Sequence, residues 1–101
     1  MEHRVYLGLG SNQGDRMARL QAGLEALAAR GILVEQVSRW RETAPAGGPP
    51  QGPYLNGAAR VRTGLEPMAL LEVLKEIERA SGREPGGPRW GPRSLDLDIL
   101  L

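Results

Sequence analysis

The spacing of apolar positions along this 101-residue chain switches repeatedly between two and three-to-four, and each switch marks an element boundary. Val5, Leu7 and Leu9 alternate with Tyr6 and Gly8, the period of a half-buried strand. The turn formers Gly10-Ser-Asn-Gln-Gly14 follow it. Asp15 is placed to cap a helix whose apolar residues Met17, Leu20, Leu24 and Leu27 recur at three and four, and Gly31 is suited to end it. Ile32 to about Thr43 is rich in Val, Ser, Arg and Trp and predicts one long strand. Its alternation slips between Val34 and Val37, which predicts a bulge. Ala44 to Pro53 is a Gly/Pro loop of a length that often carries function. Tyr54 to Thr63 alternates again as a third strand. Pro67 is suited to open a second helix, with Leu70, Leu71, Leu74 and Ile77 as its stripe and an end before Gly82. Arg83 to Pro92 is a second loop, and Ser94 to Leu101 a fourth strand.

The order βαββαβ predicts an α+β fold, the ferredoxin-like sandwich: a four-stranded antiparallel sheet with two helices on one face. If Leu55, Ala59 and Val61 face the helices together with Leu95, Leu97 and Ile99, then Tyr54, Asn56, Asp96 and Asp98 share the open face. The length suits one domain, residues 1–101. There is no cysteine, which excludes disulfides and thiolate metal sites. His3 is the only histidine, near the chain start, so neither a Ser-His-Asp triad nor a His-rich metal site is assembled. A formal net charge of +1 argues against nucleic-acid binding driven by bulk charge. The apolar run from Val5 to Leu9 is too short for a signal segment or a membrane span, so the expected location is cytoplasmic, with no membrane partner.

The candidate chemistry is concentrated at the end, in Arg89-Trp-Gly-Pro-Arg-Ser-Leu-Asp-Leu-Asp-Ile-Leu-Leu101. On a strand, Asp96 and Asp98 point to the same side, roughly 6–7 Å apart at Cα. Two hard oxygen ligands so placed suit Mg²⁺, which keeps waters and is usually completed by substrate phosphates. Arg89 and Arg93 lie close enough in sequence to bind phosphate oxygens. The plainer alternative is an exposed strand face beside solvated arginines. Trp90, between Arg89 and Gly91-Pro92, is hard to bury and suited to cover a ligand. Glu78 falls at the edge of the second helix's stripe, where it either reaches water or meets a ligand or a loop arginine. Tyr54 is suited to stack on a planar molecule and Asn56 to hydrogen-bond the edge of a heterocycle. Gly8-x-Gly10 matches no phosphate-loop spacing and reads as a turn, though Gly8 leaves room for a ligand to approach the backbone.

This terminal segment closely resembles the signature of the 6-hydroxymethyl-7,8-dihydropterin pyrophosphokinases, folate-pathway enzymes that transfer a pyrophosphoryl group from ATP. Leu7-Gly-Leu-Gly-Ser-Asn12 resembles that family's first strand and turn, Thr43-x-Pro45 with Tyr54-Leu-Asn56 its pterin pocket, and Ile77-Glu78 through Gly82-Arg83 the end of its second helix. The resemblance implies that Asp96 and Asp98 hold two Mg²⁺ ions on ATP, with Arg83 and Arg93 catalytic beside them. It implies a nucleotide site that includes Glu78, Arg83, Arg89, Trp90 and Arg93. Pterin would lie among Thr43, Ala44, Pro45, Ala46, Tyr54, Asn56 and Trp90. Pro85 stands where some relatives carry a further arginine, which puts the closure of that loop in question. Family members also run several dozen residues past this strand, and that segment supplies much of the adenine pocket and an aromatic opposite the tyrosine. The expectation is therefore a C-terminally short member of the family, either a fragment that retains the four-stranded core or a shortened relative with altered activity.

Two other classes fit the same fold. A non-catalytic ligand- or RNA-binding module would use the open face, although RNA recognition calls for several stacking aromatics there and only Tyr54 and Trp40 are candidates. A structural domain would pair through the last strand, where Leu100 falls on the parity of the two aspartates. The expected state is a monomer with that strand available for pairing.

Overall fold

The computed structural model describes residues 2–44, 52–81 and 95–100. Its elements are β1 (His3–Ser11), α1 (Arg16–Ala29), β2 (Leu33–Val37), β3 (Arg41–Thr43), β4 (Tyr54–Thr63), α2 (Pro67–Ala80) and β5 (Asp96–Leu100). All strand pairs are antiparallel, in the order β2-β4-β1-β5, with β3 also on β4. This is the predicted α+β architecture, with the two central strands of a ferredoxin-like sheet contributed by β1 and β4.

The sheet has five described strands rather than four because the segment read as one strand from Ile32 to Thr43 is interrupted at residues 38–40. The expected bulge is present: the register on β4 shifts between Val34 and Gln36. Ser38 then leaves the ladder, its hydroxyl accepting from Ala58 N at 2.8 Å while its own N–H donates to Ala58 O at 2.8 Å. Trp40 packs against the core and against Gly57, where a Cβ would collide with its ring. The first strand is longer than predicted. Gly10 and Ser11 pair with Asn56 and Leu55, so the turn is confined to residues 12–14, and His3 is already paired, opposite Thr63.

Asp15 caps α1 by accepting from Ala18 N at 3.1 Å, as its position in the sequence suggested. The buried face of that helix is Leu20, Gly23 and Leu27, while Met17 is exposed. Gly23 is needed for close approach, because a Cβ there would stand 3.0 Å from Leu95 Cδ2. On α2 the buried residues are Leu70, Val73, Leu74, Ile77 and Glu78, with Leu71 only half-buried. These faces close with Leu7, Leu9, Ile32, Ala59, Val61, Leu95 and Leu97 into one hydrophobic core on the helix side of the sheet.

The far end of the open face is tied by charge. Glu35, beside the β2 bulge, accepts a hydrogen bond from Arg4 Nε at 3.2 Å and forms ion pairs with Arg62 Nη2 at 3.1 Å and Arg60 Nε at 3.4 Å. Desolvation pushes this carboxyl up, but the Arg4 hydrogen bond and the positive field of Arg62, Arg4 and Arg60 outweigh it and hold its pKa below the ordinary 4.5. A depressed folded pKa means stability that is present above pH 4.5 and lost as the pH falls through the lower, folded value. Chemical denaturation of the wild type and Glu35→Gln should therefore differ most near neutrality and converge in acid, whereas a constant difference at all pH values would contradict the assignment.

Candidate active site

The open face places the two carboxylates and the expected heterocycle-binding groups on either side of a strand that has no side chains between them. In β1, Gly8 lies opposite Asp98 on one flank and Ala58 on the other. Gly10 lies between Asp96 and Asn56 in the same way. The period of two that pairs Asp96 with Asp98 thus also pairs Gly8 with Gly10. Asp98 is exposed and Asp96 half-buried, while the intervening Leu97 is buried in the core.

Gly10 provides the room that Asn56 and Tyr54 occupy. A Cβ at this position would stand 2.6 Å from Asn56 Oδ1 and 3.7 Å from Tyr54 Cδ1. Asn56 Nδ2 donates to Thr43 Oγ1, and in the ladder Thr43 lies opposite Tyr54. A planar molecule seated here would meet an aromatic face, an amide and a hydroxyl held in one arrangement. Gly10→Ala is expected to push Asn56 off Thr43 and weaken heterocycle binding about five- to tenfold, the value of roughly one hydrogen bond. Titrating wild type and variant with a fluorescent planar heterocycle checks this, and equal affinities would contradict it.

Glu78 is the residue whose placement adds most to the sequence reading. It is 2% exposed, and its Oε2 accepts from Leu97 N at 2.7 Å. Leu97 is the residue between the two aspartates, so a carboxyl from α2 holds the D-x-D strand by its backbone. Oε1 lies 3.9 Å from Lys75 Nζ, at the helix surface. The pattern of the sequence placed Glu78 at the edge of the stripe, but a strand N–H as its partner left no trace there.

Among the residues expected at the site, Thr43, Ala44, Tyr54, Asn56, Asp96 and Asp98 lie on or beside this face, and Glu78 lies beneath it. Pro45, Ala46, Arg83, Arg89, Trp90 and Arg93 are outside the described residues. No group of three or more His, Asp or Glu side chains forms a metal cage among the described residues. Two carboxylates fit Mg²⁺ in its usual form, with the remaining positions taken by water and phosphate oxygens. A cavity of about 410 Å³ between α1 and α2, lined by Ala22, Ala26 and Ala80 with Arg19 and Arg30, is on the other side of the sheet, and none of the described site residues lines it.

Comparison with known proteins identifies the family of the chain. The family model described as 7,8-dihydro-6-hydroxymethylpterin-pyrophosphokinase matches residues 6–101. A 2-amino-4-hydroxy-6-hydroxymethyldihydropteridine pyrophosphokinase of Methylorubrum extorquens is 48% identical over 98 residues, covering 96% of this chain and 61% of that protein. The Bacillus subtilis protein of the same name is 42% identical over 102 residues, covering 100% and 60%. A mitochondrial folate synthesis bifunctional protein of Arabidopsis thaliana is 48% identical over 100 residues, covering 99% and 18%. The chain thus spans about three-fifths of the length of the two bacterial relatives, and far less of the plant protein. With the match running from the first strand to the D-x-D strand, the chain belongs to the 7,8-dihydro-6-hydroxymethylpterin-pyrophosphokinase family.

Proposed function

We propose that this chain forms the catalytic face of an enzyme that transfers the pyrophosphoryl group of ATP to 6-hydroxymethyl-7,8-dihydropterin, giving AMP and the pterin diphosphate. The observation that carries the reading is the open face itself, where Asp96 and Asp98 stand across Gly8 and Gly10 from Asn56 and its partner Thr43. One side is suited to a metal-bound polyphosphate and the other to a planar heterocycle. Their separation by a single strand suits transfer between neighbouring ligands.

In this reading Asp96 and Asp98 would hold Mg²⁺, two ions by family resemblance, and the bound metal would supply positive charge against that developing on the transferred phosphates. Asn56, Thr43 and Tyr54 orient the pterin so that its hydroxymethyl oxygen faces the β-phosphorus. That oxygen forms the new P–O bond and gives up its proton to solvent as the bond from the β-phosphorus to the α,β-bridging oxygen breaks, and AMP leaves with the bridging oxygen. Arg83 and Arg93 are assigned to the charge on the transferred group, and Arg89 and Trp90 to the nucleotide, through their match to the family signature. Pro45 and Ala46 are assigned to the pterin pocket on the same basis. No described side chain is called on as a strong base; positioning and charge stabilisation account for the acceleration.

The single core shared by β1, α1, β4, α2 and β5 supports reading residues 1–101 as one domain. No described helix is long and apolar enough to cross a membrane, and we keep a cytoplasmic monomer as the proposal. The RNA-binding alternative loses one of its two aromatics, because Trp40 packs toward the core. The test is to incubate the chain with ATP, Mg²⁺ and 6-hydroxymethyl-7,8-dihydropterin, omitting each in turn, and to assay AMP with the pterin diphosphate. Product that requires all three supports the proposal. Absence of both product and saturable pterin binding would overturn it.

A further inference from the structure

Arg16 occupies a position that a helix alone would not choose. It is the first residue of α1, whose first turn contains no acidic side chain. A cation there opposes the helix dipole, which favours negative charge at this end. Its guanidinium instead reaches across the fold. Nη1 donates to the carbonyl of Pro53 at 3.1 Å, and Nη2 lies 3.4 Å from Glu42 Oε1. Asn12, in the turn just before, donates from Nδ2 to the carbonyl of Gly52 at 3.3 Å.

These contacts meet the chain where the heterocycle-binding groups begin. Glu42 lies opposite Leu55 in the β3–β4 ladder, between the pairs Arg41 with Asn56 and Thr43 with Tyr54. Pro53 immediately precedes Tyr54. One guanidinium therefore spans β3 and the start of β4 beside Thr43 and Tyr54. The pair contributes little to stability by itself, since the Arg16 side chain is 30% exposed and that of Glu42 52% exposed. Arginine suits the task because its planar fork serves two acceptors in different directions at once, which a lysine ammonium on one flexible stem does poorly.

We propose that Arg16 is a positioning residue for the pterin pocket. By gripping Glu42 and Pro53 together it holds the end of the β3–β4 ladder to α1, and through it the Thr43–Asn56 pair and the Tyr54 ring. The inference rests on the proposed pyrophosphokinase reading and deepens it, because it assigns a side chain of α1 to the affinity for one substrate and not the other.

The test compares wild-type chain with Arg16→Met, Arg16→Lys and Arg30→Met. Arg30 makes a 3.2 Å ion pair with Glu76 on the helix side and serves as a control remote from the site. Dissociation constants for 6-hydroxymethyl-7,8-dihydropterin and for MgATP are measured alongside thermal stability. Arg16→Met should weaken pterin binding about tenfold, with MgATP binding changed less than about twofold, and Arg16→Lys should fall between it and wild type. Melting temperature should hold or rise slightly as the cation leaves the helix N-terminus, and Arg30→Met should leave pterin affinity unchanged. Wild-type pterin affinity in Arg16→Met, or an equal loss for both ligands, would overturn the inference and leave the functional reading standing. A wild-type chain that binds no pterin would overturn both.

Discussion

Asp98→Asn is expected to reduce Mg²⁺-dependent ATP binding at least about 10²-fold while leaving the fold unchanged. The substitution keeps the size of the side chain and one acceptor oxygen but removes the charge that a hard cation requires. Asp98 is exposed on β5, across from Gly8, and the core contacts of that strand come from Leu97 and the partly buried Ile99. Its replacement should therefore alter stability by no more than about 0.5 kcal/mol, as for an ordinary surface change. Asp96 should behave alike in binding, but it is half-buried and has a further partner, so Asp98 is the cleaner probe. Titrating a fluorescent ATP analogue at several Mg²⁺ concentrations separates the metal-linked part of the affinity from the rest. Unfolding of the variant would point to a structural role for the pair, and unchanged Mg²⁺ dependence would remove the carboxylates from the metal site.

Strand parity locates side chains that obey the period of two, and it is silent where a contact depends on what a distant element presents. Tyr54, Asn56, Asp96 and Asp98 are legible as one face because Ala59, Val61 and Leu97 must be buried, and burying them fixes the other parity. The same parity applied to Gly8 and Gly10 places them between the carboxylates and the amide, since glycines two apart in the neighbouring strand share a face. Their composition suggests a turn instead, which hides that role. The break at residues 38–40 leaves no sign in the local pattern because Ser38 takes over the bonding to Ala58 and Trp40 finds its place on Gly57, both across a strand more than 15 residues away in sequence. Met17 departs from its helical stripe for a related reason. Gly23, not a large residue, occupies the line of closest approach to Leu95, which turns the helix so that Met17 faces out. The arginine-rich approach to the D-x-D strand, residues 83–93, is recognisable by its signature and lies outside the described residues.

Glu78→Ala should be the most destabilising of these substitutions, and it should also weaken MgATP binding although Glu78 lies beneath the open face. Removing the carboxyl leaves Leu97 N–H buried without its acceptor. Loss of a hydrogen bond to such a group costs about 2–3 kcal/mol. In a domain of this size that corresponds to a fall in melting temperature of about 10–20 °C. The damaged bond is the one that holds β5 to α2 between Asp96 and Asp98, so the carboxylates should lose their fixed spacing and the metal its preorganised ligands. Glu78→Gln separates the two roles open to this residue. The glutamine carbonyl still accepts from Leu97 N–H, so a positioning role predicts that most stability and most MgATP affinity survive. A side chain that contacts the nucleotide or its metal through charge predicts the reverse, a stable protein with much weakened MgATP binding. Thermal melts and MgATP titrations of the two variants decide between these outcomes, and the 2.7 Å bond to a backbone N–H at 2% exposure favours the first.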